Sequence, residues 1–188
     1  LSSDTANIEE LALNVAFDYP RVAATVKRLL SERSPGADVS LGPFLRDITD
    51  QILTASGPGG RTHLAHSHAR GSAVSAANAA PIGLIVGELV ANAVHYAHPA
   101  GVPGQIDVSS TTPGAGRPSS IEVKDDGVGL PEAFDTLSDG GAGLGAVRQL
   151  ANQLGAGLEF NDLGVGLSVR LDLPFALCAG AASAEEAA

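Results

Sequence analysis

Apolar positions recur along the chain with two different periods, and the change of period divides it. Ile8, Leu11 and Val15 fall on one side of a helix that Asp4 can cap, and Val22, Val26, Leu29 and Leu30 form a second helical stripe. After the turn Ser34-Pro35-Gly36, the residues Phe44, Leu45, Ile48 and Ile52 share a third face, which ends at the breaker Ser56-Gly57-Pro58-Gly59-Gly60. Thr62 to Val74 is weakly strand-compatible. Pro81 to Ala97 predicts a strong helix with Ile82, Ile85, Leu89 and Ala93 on its buried side. Beyond it the period drops to two. Ile106 with Val108, Ile121 with Val123, Leu158 with Phe160 and Val169 with Leu171 predict four strands, and a helix from about Gly143 to Leu154 separates the first two from the last two. The pattern predicts an α+β fold: a two-layer sandwich with helices on one face of a mixed, mostly antiparallel sheet, preceded by a short helical segment. The expected division is 1–33 for the helical segment, 38–175 for the main domain and 176–188 for an Ala-rich, frayed tail.

Composition narrows the function classes. At 188 residues, 44% hydrophobic and 17% charged, the chain can bury one sizeable core, and two full domains are not expected. No run approaches the roughly 20 uninterrupted apolar residues of a membrane span, so none is expected. The net charge of −10 argues against a protein that grips nucleic acid by neutralising phosphates. Any anionic ligand must be held by local features. A single cysteine, Cys178, and no charged-then-apolar leader fit a reducing compartment, the cytoplasm by default. The sequence opens at Leu1 and contains no Met, and so reads as an excerpt or a processed product.

Three constellations can carry chemistry. Glu88, Asn92 and His95 sit at i, i+4 and i+7 on one helix and are expected to point the same way. An acid and an amide so placed can orient a nucleophile and give Mg²⁺ an oxygen ligand; a solvated polar face explains the same spacing. Asp125-Asp126-Gly127-Val128-Gly129 follows the Ile121–Val123 strand. The carboxylate at the strand end can accept a hydrogen bond from an exocyclic amine, although DxGxG is also an ordinary turn. Gly140-Gly141-Ala142-Gly143-Leu144-Gly145 runs into a helix, whose unpaired N–H groups and dipole form an anion site. The same letters satisfy a dinucleotide fingerprint from Gly141 to Ala146. Its context fails that reading, because Glu132–Asp139 is a polar loop rather than the strand that should precede it.

The order of these segments resembles the GHKL ATPase superfamily and, within it, the ATP-binding domain of sensor histidine kinases, over about Pro81 to Pro174. They take the places of the N box, the G1 box, the ATP lid and the G2 box. The wording ELVANAVHYAHP and DDGVGLP is similar to the HWE-related kinases, without the Trp-containing G1 variant. The resemblance implies a Bergerat-type ATP-binding fold and ATP and Mg²⁺ as cofactors. It implies Asn92 as the Mg²⁺ ligand, Asp125 as acceptor for the adenine amine, and Gly127 and Gly129 as shapers of the base pocket. Gly141, Gly143, Leu144 and Gly145 would cradle the phosphates, Glu88 would act as general base or water orienter, and His95 would stand near phosphate. A response regulator as partner and a homodimer through the N-terminal helices follow from the same likeness.

Two departures accompany it. Where the family has Gly-Thr, with a hydroxyl supporting the adenine Asp, this chain reads Gly166-Leu167-Ser168; either Ser168 substitutes after a register shift or the support is missing. No His precedes His63, so the accepting His of a kinase is not in its usual upstream helix. Arg21–Glu32 resembles the end of the second dimerisation helix. His63, His66 and His68 fall in a strand, with His66 and His68 on one face, where a structural role is expected and metal binding lacks a Cys or a clear carboxylate partner. The competing functions are an anti-sigma-type serine kinase or ATP-hydrolysing switch, and a non-enzymatic signalling module.

Overall fold

The computed structural model describes residues 19–34, 36–55, 62–98, 102–112 and 119–177. A helix over residues 19–31 (α1) leads to β1 (Val39–Ser40), α2 (Leu41–Ala55), β2 (Thr62–His68), β3 (Ala73–Val74) and α3 (Ala76–Tyr96). Then follow β4 (Gly104–Ser110), β5 (Ser119–Asp125), α4 (Gly141–Leu154), β6 (Gly157–Asp162), β7 (Leu167–Leu173) and a short 3-10 turn at Phe175–Leu177. Five strands form one sheet in the order β2-β4-β5-β7-β6, with β2 parallel to β4 and the other pairs antiparallel. β1 and β3 make a separate two-stranded ribbon.

Alternation along the strands sets the layers. Ile106, Val108, Ile121, Val123, Val169, Leu171 and Leu173 turn inward and join Phe44, Leu45 and Ile48 of α2, Ile82, Ile85 and Val86 of α3, and Val147 and Ala151 of α4 in one buried cluster. The expected two-layer α+β sandwich is the observed fold. α1 belongs to the same core through Val22, Val26 and Leu29, and the Arg21 guanidinium donates to the Ala55 carbonyl at 2.8 Å. The helix expected from Asp4 to Val15, Cys178 and the Ala-rich end lie outside the described residues.

α3 differs from expectation at its start. Pro81 reads as a first-turn residue, but the helix begins five positions earlier, behind the cap Ser75, whose hydroxyl accepts from the Asn78 N–H at 3.4 Å. Pro81 lies inside the helix, where it removes one backbone bond and crowds the Ala77 carbonyl, a cost offset by the apolar face of α3 that packs into the core. Among the described residues α3 alone is long and apolar enough by composition to cross a membrane, with a mean hydropathy of 1.4. In this fold it is the central core helix, and 61% of that apolar window is buried.

β2 places His66 and His68 against α2 and leaves His63 on the exposed side. Their rings form a chain. Ser110 Oγ lies 3.0 Å from His68 Nδ1, His68 Nε2 lies 3.2 Å from His66 Nδ1, and His66 Nε2 faces Thr49 Oγ1 at 3.4 Å and Asp50 Oδ1 at 3.6 Å. Each link is satisfied with neutral rings, whereas a second proton would set two donors face to face. Burial holds both rings below the usual histidine range, His68 down to about 4, and the Arg46 charge adds to this. The unfolded chain takes up these protons near pH 6.5, so this contribution is complete above that value and is lost as pH falls toward 4. The melting temperature is therefore expected to fall between pH 7.5 and pH 5, with a flatter slope in His68→Asn; parallel slopes would rule the chain out as the cause. Among the described residues no group of three or more His, Cys, Asp or Glu is placed to hold a metal.

Candidate functional site

A cavity of about 470 Å³ opens between α3, the end of β5, the 130–140 loop, the start of α4 and the β6–β7 hairpin. Its wall is mostly apolar, with Leu89, Ala93, Tyr96, Val123, Val128, Leu130, Phe134, Phe160, Leu167 and Val169, and its polar groups include Asn92 and Asp125. That size and that ratio of apolar wall to convergent polar groups fit a small-molecule site.

Asp125 ends β5 and is 8% exposed. Its Oδ1 accepts from the Gly127 N–H at 2.9 Å and from the Leu167 N–H at 3.3 Å, which fixes the carboxylate plane. Burial raises its pKa, against the opposing pull of those two backbone bonds. The loop behind it is tightly seated. Val128 N–H donates to the Ala97 carbonyl at 2.9 Å, and a Cβ on Gly127 would lie 2.3 Å from that same oxygen. The second acid, Asp126, points elsewhere: its Oδ1 takes the Gln105 N–H at 2.7 Å and His98 Nε2 at 2.8 Å, tying the end of α3 to β4 and lowering its pKa, chiefly through the Gln105 bond.

Ser168 does not support Asp125. It lies on the other face of the sheet and donates to Glu122 Oε1 at 2.5 Å, while Leu167 stands on the cavity side. The support comes from backbone, the Leu167 N–H, which no side-chain motif could reveal.

The stripe of α3 that faces the cavity is Leu89, Asn92, Ala93 and Tyr96. Glu88 and His95 lie about 40° and 60° from Asn92 around the helix, on the side away from Leu89, Ala93 and Tyr96. Of these three polar residues Asn92 alone lines the cavity. Glu88 is 2% exposed beneath the first turn of α4, where its Oε2 would lie 3.0 Å from a Cβ on Gly143. His95 is exposed, its ring edge-on to Tyr96 at 6.2 Å between centroids.

At the far end, α4 starts without a side-chain cap: Gly140 and Gly141 both adopt left-handed backbone, at φ 97 and 62, and both line the cavity with Leu144. First-turn N–H groups left open beside a cavity suit an anion. Gly143 lies below this turn against Glu88, and neither Gly143 nor Gly145 is in the cavity wall. The Asn92 Nδ2 is buried with no hydrogen-bond partner. An amide oxygen from Asn92, in the same cavity as the start of α4, fits Mg²⁺, which takes few protein ligands when phosphates supply the rest.

Residues 77–177 match the family model of the histidine kinase-, DNA gyrase B- and HSP90-like ATPases, and the chain belongs to that family. Histidine kinases are among its relatives. Blue-light-activated histidine kinase 2 of Erythrobacter litoralis (strain HTCC2594) is 37% identical over 93 residues, 50% of this chain and 27% of that protein. The chain thus spans about a quarter of that relative's length. The histidine kinase domain of an Erythrobacter litoralis blue-light activated histidine kinase superposes with a TM-score of 0.74 at 27% identity, covering 85% of this chain and 76% of that one. The Acinetobacter baumannii histidine kinase AdeS, at 14% identity, shares the fold with a TM-score of 0.57 over 84% of this chain and 75% of its own. The chain is an ATP-binding domain of the sensor histidine kinase type.

Proposed function

We propose that the cavity binds Mg-ATP and that the chain is the catalytic part of a cytoplasmic two-component sensor kinase, passing the γ-phosphoryl to a histidine for relay to a response regulator. The observation that carries this reading is one cavity with a backbone-fixed carboxylate at one end and an uncapped helix start beside a partnerless amide at the other. Asp125 then receives the base amine, with Gly129 and the apolar wall around the ring. Gly141 and Leu144, at the start of α4, face the phosphates, Asn92 holds Mg²⁺, and Gly127 and Gly143 keep the surrounding backbone close. Mg²⁺ supplies charge neutralisation, and phosphoryl transfer needs little more from the protein than positioning. Glu88 packs beneath the first turn of α4 and is not in the cavity wall, so it is assigned no nucleotide contact. The cavity wall contains no histidine, so His95 is assigned no contact.

The accepting histidine belongs to a helix supplied elsewhere. His66 and His68 are locked in the ring chain and His98 is bonded to Asp126; fixed rings do not reach the roughly 3–3.5 Å of a near-attack geometry. Dimerisation through the N-terminal helices is part of the same proposal.

Titration with ATP, followed by γ-labelled ATP, tests it. The chain should bind ATP with Mg²⁺ and form acid-labile, base-stable phosphohistidine only when a histidine-bearing helix is added or the chain is extended upstream. Asn92→Ala should weaken binding about tenfold with Mg²⁺ and hardly at all in EDTA. Phosphoserine as the product, or no ATP binding at millimolar concentration, would overturn the reading.

A further inference from the structure

The loop from Pro131 to Asp139 forms one wall of the cavity through Pro131 and Phe134. It holds its own shape. Phe134 N–H bonds to the Pro131 carbonyl at 3.0 Å, and the Asp135 carboxylate takes the Leu137 N–H at 2.9 Å and the Ser138 hydroxyl at 2.7 Å. Asp139 returns a bond to the Asp135 N–H at 2.9 Å. This small body is flanked by left-handed glycines, Gly129 on one side and the Gly140-Gly141 pair on the other. Inside it Ala133 adopts φ 65, a conformation that costs a non-glycine residue energy.

Among the described residues, the hydrogen bonds from this body to another element come from one side chain. Arg148, half-buried in the second turn of α4, donates from Nε to the Thr136 carbonyl at 2.9 Å and from Nη2 to the Asp139 carbonyl. A planar guanidinium can bind two carbonyls at once; an ammonium acts as a single point.

We propose that Arg148 is a positioning residue for the nucleotide: it latches the 131–139 loop to α4, keeps Phe134 in the cavity wall, and sets the rate at which nucleotide leaves. The inference rests on the nucleotide reading of the cavity. When Arg148 releases both carbonyls, the loop is tied only through its glycine-flanked ends, and the cavity loses a wall. Because the guanidinium touches loop backbone and lies outside the cavity wall, its loss changes how long nucleotide stays rather than which nucleotide binds.

Two measurements on the full chain test this. Hydrogen exchange without ligand should speed up at the amides of residues 131–139 in Arg148→Ala, with α4 and β5 unaffected. Stopped-flow displacement of a fluorescent ATP analogue should show dissociation roughly tenfold faster in Arg148→Ala, about one charge-assisted hydrogen bond net of solvent, and an intermediate rate in Arg148→Lys. Association should not slow. Unchanged exchange, or dissociation within twofold of wild type while the wild type binds well, overturns the latch and leaves the nucleotide reading standing. If the wild type binds no analogue, the nucleotide reading falls and the proposal with it, even if exchange reveals a mechanical latch. A melting curve for each variant identifies general unfolding, and an intermediate rate in a lysine variant that melts like the wild type excludes it as the cause.

Discussion

Asp125→Asn is expected to lower ATP affinity by roughly 2–3 kcal/mol, about 30- to 150-fold, with the fold intact. The size follows from how the carboxylate is held. Oδ1 is occupied by the Gly127 and Leu167 N–H groups, which leaves Oδ2 to accept from a ligand amine. Asparagine has no good orientation there. With its oxygen on the two backbone donors, its NH₂ faces the ligand amine; turned around, it faces those two donors instead. Either way two donors meet in a buried place, and an unmet polar group is costly there. Asp125 is also easier to protonate than an ordinary carboxylate because burial raises its pKa. Its affinity contribution is thus complete at neutral pH and falls away at acidic pH sooner than for a solvated acid, and the asparagine variant should lack that dependence. Calorimetric titration at two pH values checks both. An affinity within twofold of wild type at neutral pH would mean that Asp125 does not read the base.

Much of this arrangement was legible in the chain because it depends on periodicity and on glycine spacing. The period-two strands and the helix from Gly143 to Leu154 are observed nearly as expected, since alternation and amphipathic faces follow directly from burial. Asp125, Asn92, Gly129 and the start of α4 also meet in one cavity. What was not legible depends on packing angles and backbone. The polar residues of α3 do share one side of the helix, but the cavity opens along Leu89, Asn92, Ala93 and Tyr96, so that only Asn92 lines it while Glu88 lies beneath α4 and His95 is exposed; spacing alone cannot say from which side a neighbour comes. The support of Asp125 by a backbone N–H has no letter of its own. Arg148 had no signal either, because an arginine on the polar side of an amphipathic helix is usually only solvated. The helix start behind Ser75 was not read from the sequence, because Pro81 carries the stronger first-turn signal.

The largest loss of stability is expected from Gly166→Ala, at the turn into β7. Gly166 has φ 82, and its N–H donates to the Gly127 carbonyl at 2.7 Å while its carbonyl accepts from Leu163 at 3.1 Å. A Cβ here would lie 1.9 Å from the Asp125 carbonyl oxygen and 2.9 Å from the Asp126 Cα. These are backbone atoms at the end of a central strand, and they cannot step aside as a flexible side chain would. The methyl must part β5 from β7, so the same shift that destabilises the sheet removes the Leu167 N–H from Asp125. A left-handed alanine and an overpacked contact together cost roughly 3 kcal/mol. Gly164→Ala supplies the comparison: φ is 74 in the same hairpin, but a Cβ there meets nothing within 4 Å. That variant should lose only about 1 kcal/mol and keep its ATP affinity. Urea unfolding with nucleotide titration on both variants separates strain from clash. Equal losses at the two positions would show that the close approach of Gly166 to Asp125 does not govern the site.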